Sequence, residues 1–147
     1  MVEYGKSSHA IWDVKYYVVW ITKYRYKVLR GEIAVRTRDL LRQVCEGQEV
    51  VILQGWVSPD HVHMLVSVPP QLVPAKLVQY MKGRSGRLLQ DEFPQLKKRY
   101  RGQYLWARGY FCASVGAVDE ETIQKYIESQ QWEDPGENFK ITAPSEP

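Results

Sequence analysis

Two β-type runs, residues 49–57 and 61–68, stand only Ser58-Pro59-Asp60 apart, and this spacing constrains the fold more than any other feature of the chain. A gap that short leaves no room for a crossover connection, so the runs pair antiparallel as a hairpin. Proline pre-sets the bend and the serine and aspartate flanking it suit a turn. The first arm, Glu-Val-Val-Ile-Leu-Gln-Gly-Trp-Val, is rich in β-branched residues. In the second arm Val62, Met64, Val66 and Val68 alternate with His61, His63, Leu65 and Ser67, the period of a strand.

That alternation puts two of the chain's three histidines on one strand face. Residues i and i+2 lie roughly 6.5–7 Å apart along a strand. Imidazoles at that spacing can converge on one metal ion while Val62 points into the core behind them. A pair of histidines hydrogen-bonded on a half-buried strand fits the same pattern.

The remaining elements follow from periodicity and punctuation. Residues 11–22 read as a long strand, and Lys23-Tyr24-Arg25-Tyr26-Lys27 as a basic, aromatic connector. Residues 31–47 carry Ile33, Leu40, Leu41 and Val44 on one helical stripe and stop at Gly47. Pro69-Pro70 ends the second hairpin arm, and Pro74 opens a helix over 74–92 with a core stripe of Leu77, Val78, Met81, Leu88 and Leu89. Residues 94–108 form a basic loop, 109–117 a fourth strand, and a last helix runs from Asp119 to about Gln131. The order β-α-β-β-α-β-α predicts an α+β, ferredoxin-like (RRM-like) antiparallel four-stranded sheet, with helices on one face and an extra C-terminal helix. One domain over 1–132 is expected, followed by an acidic, proline-containing and disordered tail over 133–147.

Charge is uneven along the chain. Net charge is +3, yet residues 76–108 hold nine Lys/Arg against two Asp/Glu. Such a patch is suited to a polyanion, and a solvated helix face is its bland counterpart. No signal-peptide pattern opens the sequence, and no uncharged apolar run approaches the roughly 20 residues that span a bilayer. Cys45 and Cys112 give neither a disulfide framework nor a Cys-x-x-Cys knuckle and read as buried thiols. A cytoplasmic protein with no membrane partner is expected.

On the last helix, Tyr126 and Gln130 are four residues apart and share a face, with Ile123 and Ile127 on the apolar side. Either alone is ordinary for a helix. Beside an His-x-His strand and a basic patch, they suggest a tyrosine that attacks a phosphodiester next to a metal site.

At this point the residues resemble a family. Val19-Trp20-Ile21-Thr22-Lys23-Tyr24-Arg25, Gly55-Trp56-Val57-Ser58-Pro59-Asp60-His61-Val62-His63, Met81-Lys82-Gly83-Arg84-Ser85 and Leu105-Trp106-Ala107-Arg108-Gly109-Tyr110-Phe111, with Tyr126 and Gln130, are similar to the single-tyrosine transposases of the HUH nuclease superfamily. These are the small TnpA-like enzymes that move insertion sequences as single-stranded DNA, together with their relatives associated with palindromic repeats. The resemblance covers roughly residues 10–132.

It implies a transposase that cuts and rejoins single-stranded DNA at hairpin-marked ends through a covalent 5′-phosphotyrosine. Tyr126 would be the nucleophile, and His61, His63 and Gln130 would hold Mg²⁺ or Mn²⁺. A mixed nitrogen and oxygen ligand set suits these ions better than zinc. It also implies a homodimer, and leaves open whether each tyrosine helix serves its own subunit's histidines or, swung about a hinge at Gly116 and Ala117, the partner's. Gln131, adjacent to Gln130, is separated from it as ligand only by the helical register with Tyr126.

Contacts to DNA are expected from Lys23, Arg25, Lys82, Arg84 and Arg87, with Lys97, Lys98 and Arg99 as further candidates. Trp106, Tyr24, Tyr26, Tyr80 and Tyr104 are positioned in the sequence to stack on bases, although Trp106 and Tyr80 equally suit packing. Two other classes fit parts of the pattern: a non-catalytic or domesticated protein that binds hairpin or single-stranded nucleic acid, and a ferredoxin-like sensor of a small ligand or metal.

Overall fold

The computed structural model describes residues 5–6, 11–12 and 14–115, together with Glu121, Lys125 and Glu128. Strands β1 (Gly5–Lys6) and β2 (Ile11–Trp12) form a small antiparallel pair. Strand β3 spans Lys15–Ile21, helix α1 Gly31–Gly47, β4 Val51–Ser58 and β5 His61–Ser67. Helices α2 (Pro74–Glu92) and α3 (Pro94–Arg99) precede β6 (Phe111–Ser114). The main sheet is antiparallel, in the order β4-β5-β3-β6. With α1 and α2 joined across one face, this is the ferredoxin-like α+β architecture.

Alternation along the strands divides the sheet. Val18, Trp20, Val62, Met64 and Val66 form a buried core with Leu40, Leu41 and Val44 of α1 and Leu77, Met81 and Leu89 of α2. Registers Val19↔His63 and Ile21↔His61 place both histidines on the opposite face, beside the side chains of Val19 and Ile21. A bulge between Ile52 and Gln54 adds one residue to β4. Ile52 and Val57 thereby both pack against the core, while Trp56 and Ser58 stay on the histidine face opposite His63 and His61.

Three elements depart from expectation. The single strand expected over 11–22 is two strands, Ile11–Trp12 and Lys15–Ile21, because the first pairs with β1 and only Lys15 onward joins the main sheet. The loop over 94–108 contains α3, whose first position is Pro94, whose last turn is basic and whose Leu96 is buried. The fourth strand is shorter than 109–117. Residues 105–107 instead run beside the end of β3, through Lys23 N–H donating to Leu105 O (2.7 Å) and Ala107 N–H donating to Ile21 O (3.0 Å).

Glu121, Lys125 and Glu128 of the expected last helix are helical and exposed. Tyr126, Gln130, Gln131, the Gly116-Ala117 hinge and the tail over 133–147 lie outside the described residues. Among the described residues no helix is long and apolar enough to cross a membrane. Cys45 is buried with its sulfur 3.8 Å from Met81 Sδ, and Cys112 is half-buried; both are free thiols.

A candidate metal-binding histidine site

The site begins at the tip of the β4–β5 hairpin. Ser58 pairs with His61, so the loop is two residues, Pro59 and Asp60. Two-residue hairpin loops favour turns with positive φ at the first central position, which proline cannot adopt. Neither Pro59 nor Asp60 has a positive φ. This loop therefore relies on support from outside the hairpin. Leu29 N–H donates to Pro59 O (3.0 Å), and Asp60 O accepts from Thr22 N–H (2.9 Å) and from the Thr22 hydroxyl (3.3 Å).

The supporting segment is itself bent sharply. Tyr24 (φ 60, ψ 11) and Arg25 (φ 54) are consecutive non-glycine residues in the left-handed region. Each costs about 1–3 kcal/mol, so the surrounding contacts must impose the bend. Its consequence is to turn the Arg25 side chain inward, where Nε and Nη2 donate to Asp60 Oδ2 at 3.3 and 3.2 Å. Arg25 is only 2% exposed and Asp60 5%. The other carboxylate oxygen, Oδ1, lies 2.8 Å from His61 Nδ1. One buried carboxylate thus bridges a guanidinium and an imidazole.

Charge follows from that geometry. Burial raises the Asp60 carboxyl, but the His61 hydrogen bond, the His61 and Arg25 charges and the Arg25 hydrogen bond together outweigh it and leave it below the usual carboxylate range. Burial lowers the Arg25 guanidinium, and Asp60 opposes that effect. An ionised carboxylate accepts only, so the His61 Nδ1 that faces it carries a hydrogen.

His63 is held by rings. Trp56, its cross-strand partner, stacks at 4.5 Å between centroids and 30° tilt, and Tyr17 lies at 5.8 Å and 46°. Burial, and secondarily the charge of His61, pushes its pKa down to about 4, so the ring is neutral at physiological pH. Both histidines are buried, and among the described residues His61 Nε2 and both His63 nitrogens find no hydrogen-bond partner. Buried polar atoms seldom go without a partner. The neutral His63 ring and the unpartnered Nε2 of His61, on one strand face, fit a divalent cation, which would supply the partner they lack. Among the described residues no group of three His, Cys, Asp or Glu side chains completes such a site. Gln130, the expected third ligand, lies outside them.

The basic residues separate into three groups. Arg84 and Arg87 are exposed and line a groove of ≈ 520 Å³ between the end of α1 and α2, with Gln43, Gln48, Gln79 and Tyr80. Lys23 is half-buried, with Nζ 5.4 Å from the Tyr24 ring centre. Arg25 and Lys82 are committed elsewhere. Lys82 Nζ donates to Ala107 O (2.8 Å) and Gly109 O (2.9 Å), bracing the break before β6. A phosphate contact by buried, ion-paired Arg25 does not fit its position, because it would abandon Asp60.

Trp106 is likewise a packing residue here. It is 6% exposed, meets Trp20 edge-on at 5.8 Å, and donates from Nε1 to Ser85 Oγ at 3.0 Å. A Cβ on Gly86 would stand 3.2 Å from its ring, so the glycine is what admits the indole. Tyr104, 85% exposed, is the free aromatic beside it. Asp60, read from the sequence only as a turn residue, is the carboxylate that joins Arg25 to His61; its place directly before the His-x-His pair was the available signal.

Comparison with known proteins decides the family. The family profile described as "Transposase IS200 like" matches residues 10–130. This chain belongs to the IS200-like transposase family. It is 37% identical over 141 residues to the transposase for insertion sequence element IS200 of Salmonella typhimurium, covering 95% of this chain and 92% of that one. It is 38% identical over 131 residues to the ISDra2 transposase TnpA of Deinococcus radiodurans, covering 88% and 92%. A crystal structure of a transposase from Deinococcus radiodurans R1 superposes with TM-score 0.79 at 34% identity, over 87% of this chain and 98% of that chain. A REP-associated tyrosine transposase bound to a REP hairpin shares the fold, with TM-score 0.53 at 12% identity over 87% of this chain and 69% of that chain.

Proposed function

We propose that this IS200-like transposase cuts and rejoins single-stranded DNA at hairpin-marked ends, with Tyr126 as nucleophile and Mg²⁺ or Mn²⁺ held by His61, His63 and Gln130. The observation that carries the reading is the pair of buried histidines whose Nε2 atoms, and His63 Nδ1, have no hydrogen-bond partner among the described residues. A hairpin ligand is supported by the REP-hairpin complex of a protein with the same fold.

A tyrosine hydroxyl, with a pKa of about 10, is a weak nucleophile at neutral pH. When bound, the cation supplies Lewis-acid polarisation of a phosphate oxygen. The Tyr126 oxygen forms a bond to phosphorus and gives up its proton; the bond from phosphorus to the 3′ oxygen breaks, and that oxygen leaves as a 3′-hydroxyl. The 5′-phosphotyrosine keeps a phosphoester, so a second 3′-hydroxyl reverses the exchange and joins new ends without ATP. His61 and His63 orient the reaction by fixing the metal, Asp60 holds His61, and Trp56 and Tyr17 hold His63. Arg84, Arg87 and Lys23 are the cations placed to meet phosphates.

The assembly proposed is a homodimer in which the tyrosine helix of one subunit serves the histidines of the other. Mixed dimers test both claims together. Dimers of His61→Ala and Tyr126→Phe subunits cleave an end-labelled hairpin strand if the site assembles in trans, because one wild-type site remains. Cleavage by neither the mixed dimer nor the wild type in Mn²⁺ overturns the catalytic reading, and tight binding without cleavage then marks a nucleic-acid-binding module. Gln130→Ala is expected to weaken metal-dependent cleavage, whereas equal loss from Gln131→Ala contradicts the proposed helical register.

A further inference from the structure

We infer that Arg25 and Asp60 are a positioning pair that fixes the hydrogen of His61 on Nδ1 and so reserves Nε2 as a metal ligand. This rests on the metal site proposed above but concerns what the chain's own residues do before any metal arrives. Three observations converge. The carboxylate of Asp60 divides its oxygens, Oδ2 to the Arg25 guanidinium and Oδ1 to His61 Nδ1, so neither oxygen is free to change partner. The Asp60 backbone is pinned from outside the hairpin by Thr22, on the same segment that delivers Arg25. That segment adopts two consecutive left-handed non-glycine residues, a conformation that turns the guanidinium inward toward a hairpin 35 residues away.

A buried ion pair is weak support for stability, since a well-packed apolar pair of similar size often does as well. Ring orientation and tautomer, by contrast, depend on a full negative charge at this position. Metal-ligating histidines commonly donate their other ring N–H to a carboxylate, and removing that carboxylate costs about 10–100-fold in metal affinity.

The pair makes an unusual prediction for the isosteric change Asp60→Asn. Arg25 only donates, so it draws the amide oxygen toward itself. The amide NH₂ then faces His61 Nδ1, which must accept, and the ring hydrogen moves to Nε2. The substitution therefore blocks the metal-facing nitrogen while preserving shape. Adding Arg25→Met removes the competing donor, lets the amide turn its oxygen to His61, and restores the original tautomer.

The test is long-range ¹⁵N correlation of the His61 ring in metal-free protein, paired with Mn²⁺ titration of the full chain. Wild type is expected to show an Nδ1-protonated ring. Asp60→Asn is expected to show an Nε2-protonated ring with about 10–100-fold weaker Mn²⁺ binding, and the double variant to recover Nδ1 protonation and part of the affinity. An unchanged tautomer and affinity in Asp60→Asn, or a wild-type ring already protonated at Nε2, overturns the inference and leaves the ion pair as a clamp on the turn. Failure of wild type itself to bind Mn²⁺ strikes the proposed function instead, and the metal-free ring signal still reads the role of the pair.

Discussion

At the scale of single residues, His63 couples the site to pH through burial. Its ring resists protonation until about pH 4, whereas in the unfolded chain it titrates near the ordinary value of 6.5. Between those values the unfolded state binds the extra proton, so metal-free protein loses stability as pH falls through the window and regains it as pH rises. Up to about 3 kcal/mol is at stake for a shift of this size. His63→Gln is expected to flatten that part of the stability curve, measured as urea midpoints between pH 4 and 7; an unchanged slope would show that the ring is not desolvated as described. Strand period alone made the shared face of His61 and His63 legible in the sequence. The role of Arg25 was not legible, because a basic residue in a basic, aromatic stretch reads as surface until a distant carboxylate is seen to bury it.

Elements hold these residues through a few specific contacts. Helix α2 docks the 105–107 segment by presenting two small buried residues, Ser85 and Gly86, where its stripe of large apolar residues is interrupted. Ser85 accepts the Trp106 indole N–H and also donates to the Met81 carbonyl. Ser85→Ala leaves that buried N–H without its partner, and a loss of about 1–3 kcal/mol is expected in denaturant melts. No measurable loss would place water or another acceptor at the indole. The helices and the hairpin were readable because their apolar periods extend over many residues. Helix α3 was not, since six residues are too few for a period to emerge and Pro94 alone marked its start. The break in the first long strand was hidden for a different reason: its residues are β-formers throughout, and only pairing decides which sheet each joins.

For the whole molecule, the order of elements led directly to the ferredoxin-like sheet, and the sheet carries the histidine pair on the face opposite α1 and α2. Charge adds a second global property. In the basic stretch over 76–108 only Lys82 is drawn inward; Arg84 and Arg87 on α2, and Lys97, Lys98 and Arg99 on α3, stay exposed, so most of the charge seen in sequence can meet a polyanion. Single-strand DNA affinity is expected to fall steeply with salt. Arg84→Ala with Arg87→Ala is expected to reduce the slope of log affinity against log salt by about 0.7 for each phosphate that is no longer neutralised. A slope indifferent to both changes would move the DNA track to another face. At the scale of the assembled protein, the proposed chemistry comes down to a tyrosine of the last helix reacting beside a cation held by two strand histidines. Peptide mapping of the protein–DNA adduct formed on a hairpin-bearing strand in Mn²⁺ tests this without an intermediary. The expected adduct joins DNA through its 5′-phosphate to Tyr126 and is missing in His61→Ala; attachment at a different side chain, or an adduct that survives removal of the histidine, would contradict it.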